Sequence, residues 1–82
     1  MLHKKIKIVQ YGCNERGRDT LQVFYESGAE IVGAIDSNPQ LVGMDIGDFA
    51  HLGTKLGIKI LPDNPEVLQS FDADTIIVSS IR

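Results

Sequence analysis

A single cysteine, Cys13, among 82 residues leaves this chain no intrachain disulfide. That suits a reducing compartment, and a cytoplasmic location is expected. Tryptophan is absent, and no apolar run is long enough to span a bilayer or form a secretory leader, so no membrane partner is expected. The eight lysines and arginines are scattered against eleven acids, giving a net charge of −3. That balance argues against nucleic acid as the main partner. His51 has no second ligand at a useful spacing, so no metal is expected. No acid–base pair able to run catalysis is visible, and Asp45 and Asp48 read as solvated loop acids. What is present is an ordinary globular composition, 43% hydrophobic and 23% charged, sufficient for one small domain spanning residues 1–82.

The most informative stretch is Gly12-Cys13-Asn14-Glu15-Arg16-Gly17. An apolar run, Ile6 to Tyr11, precedes it and reads as a short buried strand. Residues 15–27 read as a helix, with Gly17, Leu21, Phe24, Tyr25 and Gly28 on one stripe and Phe24 and Tyr25 facing the core. Asn14 is suited to cap that helix, and Ser27-Gly28 to end it. Glu30 to Asp36 reads as a second strand covered on both faces, ending in an acid. Asn38-Pro39 forces a turn. Residues 40–57 carry four glycines with weak periodicity, and a short helix is expected over 48–52. Gly57-Ile58-Lys59-Ile60 suits a third strand. Asp63-Asn64-Pro65-Glu66 starts another helix, reaching about Ser70. Ala73 to Ser80 forms a fourth strand.

Strands alternating with helices predict an α/β fold: a Rossmann-like parallel sheet with flanking helices, three layers, truncated to about four strands. The fourth strand then has an open apolar edge. A portion of a longer enzyme is one expectation; a small module pairing that edge with a second copy, as a homo-oligomer, is the other.

Strand, glycine turn, helix, strand and terminal acid is the order of a dinucleotide-binding half-fold. Gly12 allows the sharp turn, and Gly17 allows helix and strand to approach. The helix start presents free amides to a pyrophosphate. Asn14 stands where the usual G-x-G-x-x-G has its middle glycine, so its side chain hinders the backbone's approach while its amide remains able to donate to phosphate. Arg16 and Arg18 offset Glu15. Asp36 is placed to accept both ribose hydroxyls, and Ser37-Asn38 supplies no arginine for a 2′-phosphate, which favours NAD over NADP. Ser79 and Ser80 lie at the same carboxyl edge, on the nicotinamide side. Cys13 reads as a small turn-filling residue rather than a nucleophile, because no histidine is placed to activate it.

Three stretches in order carry a family resemblance: Val9-Gln10-Tyr11-Gly12-Cys13, Gly28 to Asp36, and Leu41-Val42-Gly43-Met44-Asp45-Ile46-Gly47-Asp48-Phe49. They resemble the N-terminal domain of 2,4-diaminopentanoate dehydrogenase and, more distantly, dihydrodipicolinate reductase. Gly57 to Ile60 and Phe71 to Val78 continue the match. The resemblance implies the cofactor-binding portion of an NAD(P)-dependent oxidoreductase of amino acid catabolism. Such an enzyme oxidatively deaminates an amino acid substrate held by a separate domain that this chain lacks. It carries the cofactor role to Gly12, Gly17 and Asp36, and extends it to Cys13, Arg16 and Ser79. The sequence departs from the family at Asn14, where the pattern has glycine. No catalytic residue carries over. The alternatives are a non-catalytic nucleotide-binding or regulatory module, a dihydrodipicolinate reductase-like reductase, and a purely structural assembly domain.

Overall fold

The structure, a computed structural model, describes residues 5–79. Strand β1 (Lys7–Tyr11) forms from the branched residues Ile8 and Val9, both fully buried. It leads through a glycine turn into helix α1 (Glu15–Glu26), and the chain returns as strand β2 (Glu30–Ile35). A four-residue helix α2 (Ile46–Phe49) and a short helix α3 (Pro65–Gln69) precede strand β3 (Thr75–Val78). The three strands are parallel in the order β2-β1-β3. This is the expected Rossmann-like α/β arrangement, a parallel sheet flanked by helices. β1 takes the central place, paired with β2 on one side and β3 on the other. Helix α1 bridges the two strands β1 and β2, as a parallel connection requires.

The third strand expected at Gly57–Ile60 is reduced to isolated bridges, Asp45 with Lys59 and Ile35 with Leu61. The cause is local competition for backbone groups. Gly43 N–H donates to Ile60 O at 2.8 Å, Ile60 N–H to Met44 O at 2.9 Å, and Ile46 N–H to Ile58 O at 2.8 Å. Residues 43–46 therefore claim the segment before β2 can. Only Leu61 reaches the sheet, donating to Ala34 O at 2.9 Å and accepting from Asp36 N–H at 3.1 Å.

The core joins Ile8, Leu21, Ile31, Ala34, Ile46, Phe49, Ala50 and Ile60, with Phe24 packed against it. Each fully buried isoleucine or leucine contributes about 1.5–3 kcal/mol. Tyr25 does not join them: it remains 38% exposed. It sits in the last turn of α1, and no described group offers its hydroxyl a partner, so the ring keeps to the solvent side. The short helix of the glycine-rich stretch begins at Ile46, two residues earlier than expected, because Asp45 caps it. On β3, Ile76 and Val78 are exposed along an edge that no described strand covers. Ser80, expected at the end of that strand, lies outside the described residues. No helix among the described residues is long and apolar enough to cross a membrane.

Candidate functional site

The chain leaves β1 at Gly12 with φ +102°, a conformation that favours glycine. A Cβ at this position would overlap the Ser79 carbonyl of β3's end. At Gly17 a Cβ would overlap the Gly12 carbonyl, so this glycine is what lets α1 start hard against the turn. Asn14 differs from both. Its φ of −94° and ψ of −168° are extended, so the backbone here makes no demand for glycine. Its side chain caps the helix instead: Oδ1 accepts from Gly17 N–H at 2.8 Å and Nδ2 donates to Ser79 O at 3.2 Å.

The first turn of a helix has four amides without intrahelical partners. Here Asn14 takes that of Gly17, while Arg18 N–H reaches Asn14 O at 2.9 Å. The main-chain amides of Asn14, Glu15 and Arg16 have no partner among the described residues. They form a compact group of donors at the positive end of the α1 dipole.

Asp36, at the carboxyl end of β2, turns its half-buried carboxylate toward this tip. Oδ2 accepts from Cys13 N–H at 2.6 Å and Oδ1 from Asn38 N–H at 2.7 Å. Each oxygen keeps a second lone pair. A second acid lies close by. Tyr11 O–H donates to Asp63 Oδ2 at 2.5 Å, and Asp63 follows Leu61, whose carbonyl holds the Asp36 amide. The Tyr11 phenol is held above its ordinary pKa by the hydrogen bond to Asp63, with burial and the charges of Asp63 and Asp36 adding to it.

Cys13 contributes its amide to the site but not its thiol. The side chain is buried in the core, with Sγ 3.7 Å from Ile35 O. Burial, and then the charge of Asp36, push the thiol up to about 12, so it is protonated and inert at neutral pH. The two arginines expected to offset Glu15 part company. Arg16 stays exposed on the first turn. Arg18 is drawn to α2, donating from Nε to Phe49 O at 2.8 Å with its guanidinium 4.9 Å from the Phe49 ring centroid. Ser79 reaches the tip through its carbonyl, which accepts from Asn14 Nδ2.

Gln10 is the site residue that sequence reasoning missed. It is fully buried in the middle of β1, and Nε2 donates to Gly12 O at 3.0 Å and to Ser79 Oγ at 2.7 Å. Its Oε1 has no partner among the described residues. The available signal was a lone amide in a strand otherwise read as buried and apolar.

The remaining candidates are structural. Asp45 is not a solvated loop acid: its carboxylate accepts from Gly47 N–H at 2.7 Å, Leu56 N–H at 2.9 Å and Gly57 N–H at 2.8 Å. The bond from Leu56 leads the causes that hold its pKa below the usual carboxylate value; burial, next in size, opposes it, and the bonds from Gly47 and Gly57 and the charge of Lys55 add to the lowering. Asp48 pairs with Lys55. His51 is an exposed turn residue, and no metal-ligand cluster occurs among the described residues.

No protein-family model matches the chain, and no curated protein matches it. Among solved structures it is similar to an amine dehydrogenase from Mycobacterium smegmatis. That structure superposes with a TM-score of 0.81 at 36% identity over 90% of this chain. The match spans 22% of the amine dehydrogenase, so this chain corresponds to a minor part of that protein's length. The fold is dehydrogenase-like.

Proposed function

We propose that residues 1–82 form a cofactor-binding domain for a nicotinamide dinucleotide, a portion of an NAD(P)-dependent dehydrogenase acting on a carbon–nitrogen bond. The observation that carries this reading is the helix tip: three unpartnered amides beside a turn that only glycine fits, with the Asp36 carboxylate facing them. The residues present fit the group. The amides of Asn14, Glu15 and Arg16 would hold the pyrophosphate, and Arg16 would add positive charge at the rim. Asn14 keeps Gly17 N–H occupied, so the phosphate contacts fall on the residues before it. Asp36 would accept the ribose hydroxyls through the lone pairs that Cys13 and Asn38 leave free. Asp63 beside it adds a second negative charge, and Ser37 and Asn38 supply no arginine to receive a 2′-phosphate. Those features support NAD over NADP.

When bound, the nicotinamide supplies the hydride acceptor. This chain's residues bind and orient the cofactor, and the groups that hold an amine or amino acid substrate of diaminopentanoate type belong to a separate domain. The name of the M. smegmatis structure supports an amine as the substrate class. The absence of an acid–base pair at the tip among the described residues favours one second reading, a nucleotide-binding module without turnover of its own.

Titration of the chain into NADH, followed by nicotinamide fluorescence, tests the assignment. Saturable binding, tighter for NADH than for NADPH, is expected. No binding of either nucleotide would remove it.

A further inference from the structure

Gln10 occupies a place where the fold has reason to prefer a hydrocarbon. It lies in the central strand, fully buried, next to Val9 and one residue from Ile8 on its own face. Burying an amide with one end unsatisfied is unfavourable, and most buried polar atoms in folded proteins find partners. Here Oε1 finds none among the described residues. The orientation of the amide is fixed by chemistry: Gly12 O can only accept, so the NH2 end must face it at 3.0 Å. The second Nε2 hydrogen then goes to Ser79 Oγ at 2.7 Å. Both donors are used on the turn and on the end of β3, and the oxygen is left over.

This pattern determines where the Ser79 proton cannot go. A hydroxyl that receives a hydrogen bond on one lone pair must place its own hydrogen elsewhere. The Ser79 carbonyl already takes Asn14 Nδ2, and Ser79 N–H is held by Tyr11 O at 2.9 Å. No described group accepts from Ser79 Oγ. The hydroxyl stands beside Gly12 where β1 and β3 both end, the point at which the strand order reverses direction. Open parallel sheets bind ligands at that crevice.

We propose that Gln10 is a positioning residue of the dinucleotide site. By anchoring the Gly12 carbonyl and donating into Ser79 Oγ, it turns the Ser79 hydroxyl into a fixed hydrogen-bond donor toward an acceptor oxygen of the bound nucleotide. The claim rests on the dinucleotide reading and deepens it: the unpaired Oε1 is the cost of keeping a donor of two hydrogens under the turn. Gln10 touches no ligand itself and acts through Ser79.

The test is a double-mutant cycle on the chain, with NADH affinity by fluorescence and thermal melting as paired readouts. Gln10→Met keeps the side-chain length while removing both donors and the orphan oxygen. Gln10→Met and Ser79→Ala should each weaken NADH about tenfold, and the double variant should lose no more than either alone. Ser79→Thr, which keeps the hydroxyl, should bind as the parent does. A purely structural Gln10 would instead lower the melting temperature and leave affinity unchanged, or give losses that multiply in the double variant; either result overturns the proposal. If Gln10→Met fails to fold, the comparison of Ser79→Ala with Ser79→Thr decides, since equal affinities would exclude the hydroxyl donor. A parent chain that binds NADH while all variants bind equally refutes this inference alone. A parent that binds neither NADH nor NADPH refutes the underlying reading and this inference with it.

Discussion

Around Asp45, three main-chain amides, those of Gly47, Leu56 and Gly57, converge on one carboxylate of the same chain. At the start of α1, the amides of Asn14, Glu15 and Arg16 point away from any described acceptor. Both regions are turns rich in glycine, and both gather donors in a small volume. In the first, the chain supplies the anion, and the result is a clasp that ties α2 to residues 55–57. In the second, the Asp36 carboxylate stands at the side and bonds Cys13 N–H and Asn38 N–H. A cluster of amides filled from within is architecture; one left open at a helix start is equipped to receive an anion from outside.

Substitutions at four positions would break or sharpen this contrast. The largest expected effect is on the filled side. Asp45→Ala strips three amides of their acceptor, and it should lower the melting temperature more than any other single change here. The same carboxylate gives a pH dependence. Its folded pKa lies below the usual value, so its contribution is present above the ordinary carboxylate range, near about 4, and is lost as pH falls through the depressed folded value. Asp45→Asn should remove that part of the acid transition in a pH-dependent melt. Next comes Gly12→Ala, which meets both the positive φ and the Ser79 carbonyl; a loss of about 2 kcal/mol or more is expected, a fall of about 10 °C in Tm. On the open side, Asp36→Ala should weaken NADH about tenfold while affecting NADPH less. Equal losses for both nucleotides would contradict the ribose role. The smallest effect belongs to Asn14→Gly. Capping by glycine costs only a few tenths of a kcal/mol relative to asparagine, and freeing Gly17 N–H should tighten NADH binding. A weaker complex would mean that the Asn14 side chain itself contacts the nucleotide.

The parts of this site that short-range chemistry controls were legible in the sequence. Gly12, Gly17 and the Asn14 cap follow from rules that operate within one turn, and α1 ends at Ser27-Gly28 as the glycine dictates. Asp36 was legible from its place at the end of β2. What sequence reading missed depends on partners far along the chain. Arg18 leaves the tip because Phe49 offers it a carbonyl and a ring. The strand expected at 57–60 fails because residues 43–46 capture its backbone first. Asp45 looked solvated because two of its three donors lie at Leu56 and Gly57. The Val42 to Phe49 stretch, which carried much of the family resemblance, therefore marks a structural clasp, while the less distinctive glycine turn holds the open amides. At the place of the missing middle glycine, residue 14 is extended and unstrained, and its side chain is the expected cap.

The central claim concerns the open amides, and a nitrogen–proton correlation spectrum of the labelled chain reads them directly. On titration with NAD, the amide signals of Asn14, Glu15 and Arg16 should move with a single saturation curve, while those of Gly47, Leu56 and Gly57 stay in place. Stationary signals at residues 14–16 under saturating nucleotide, or shifts centred on the Asp45 clasp, would contradict the account.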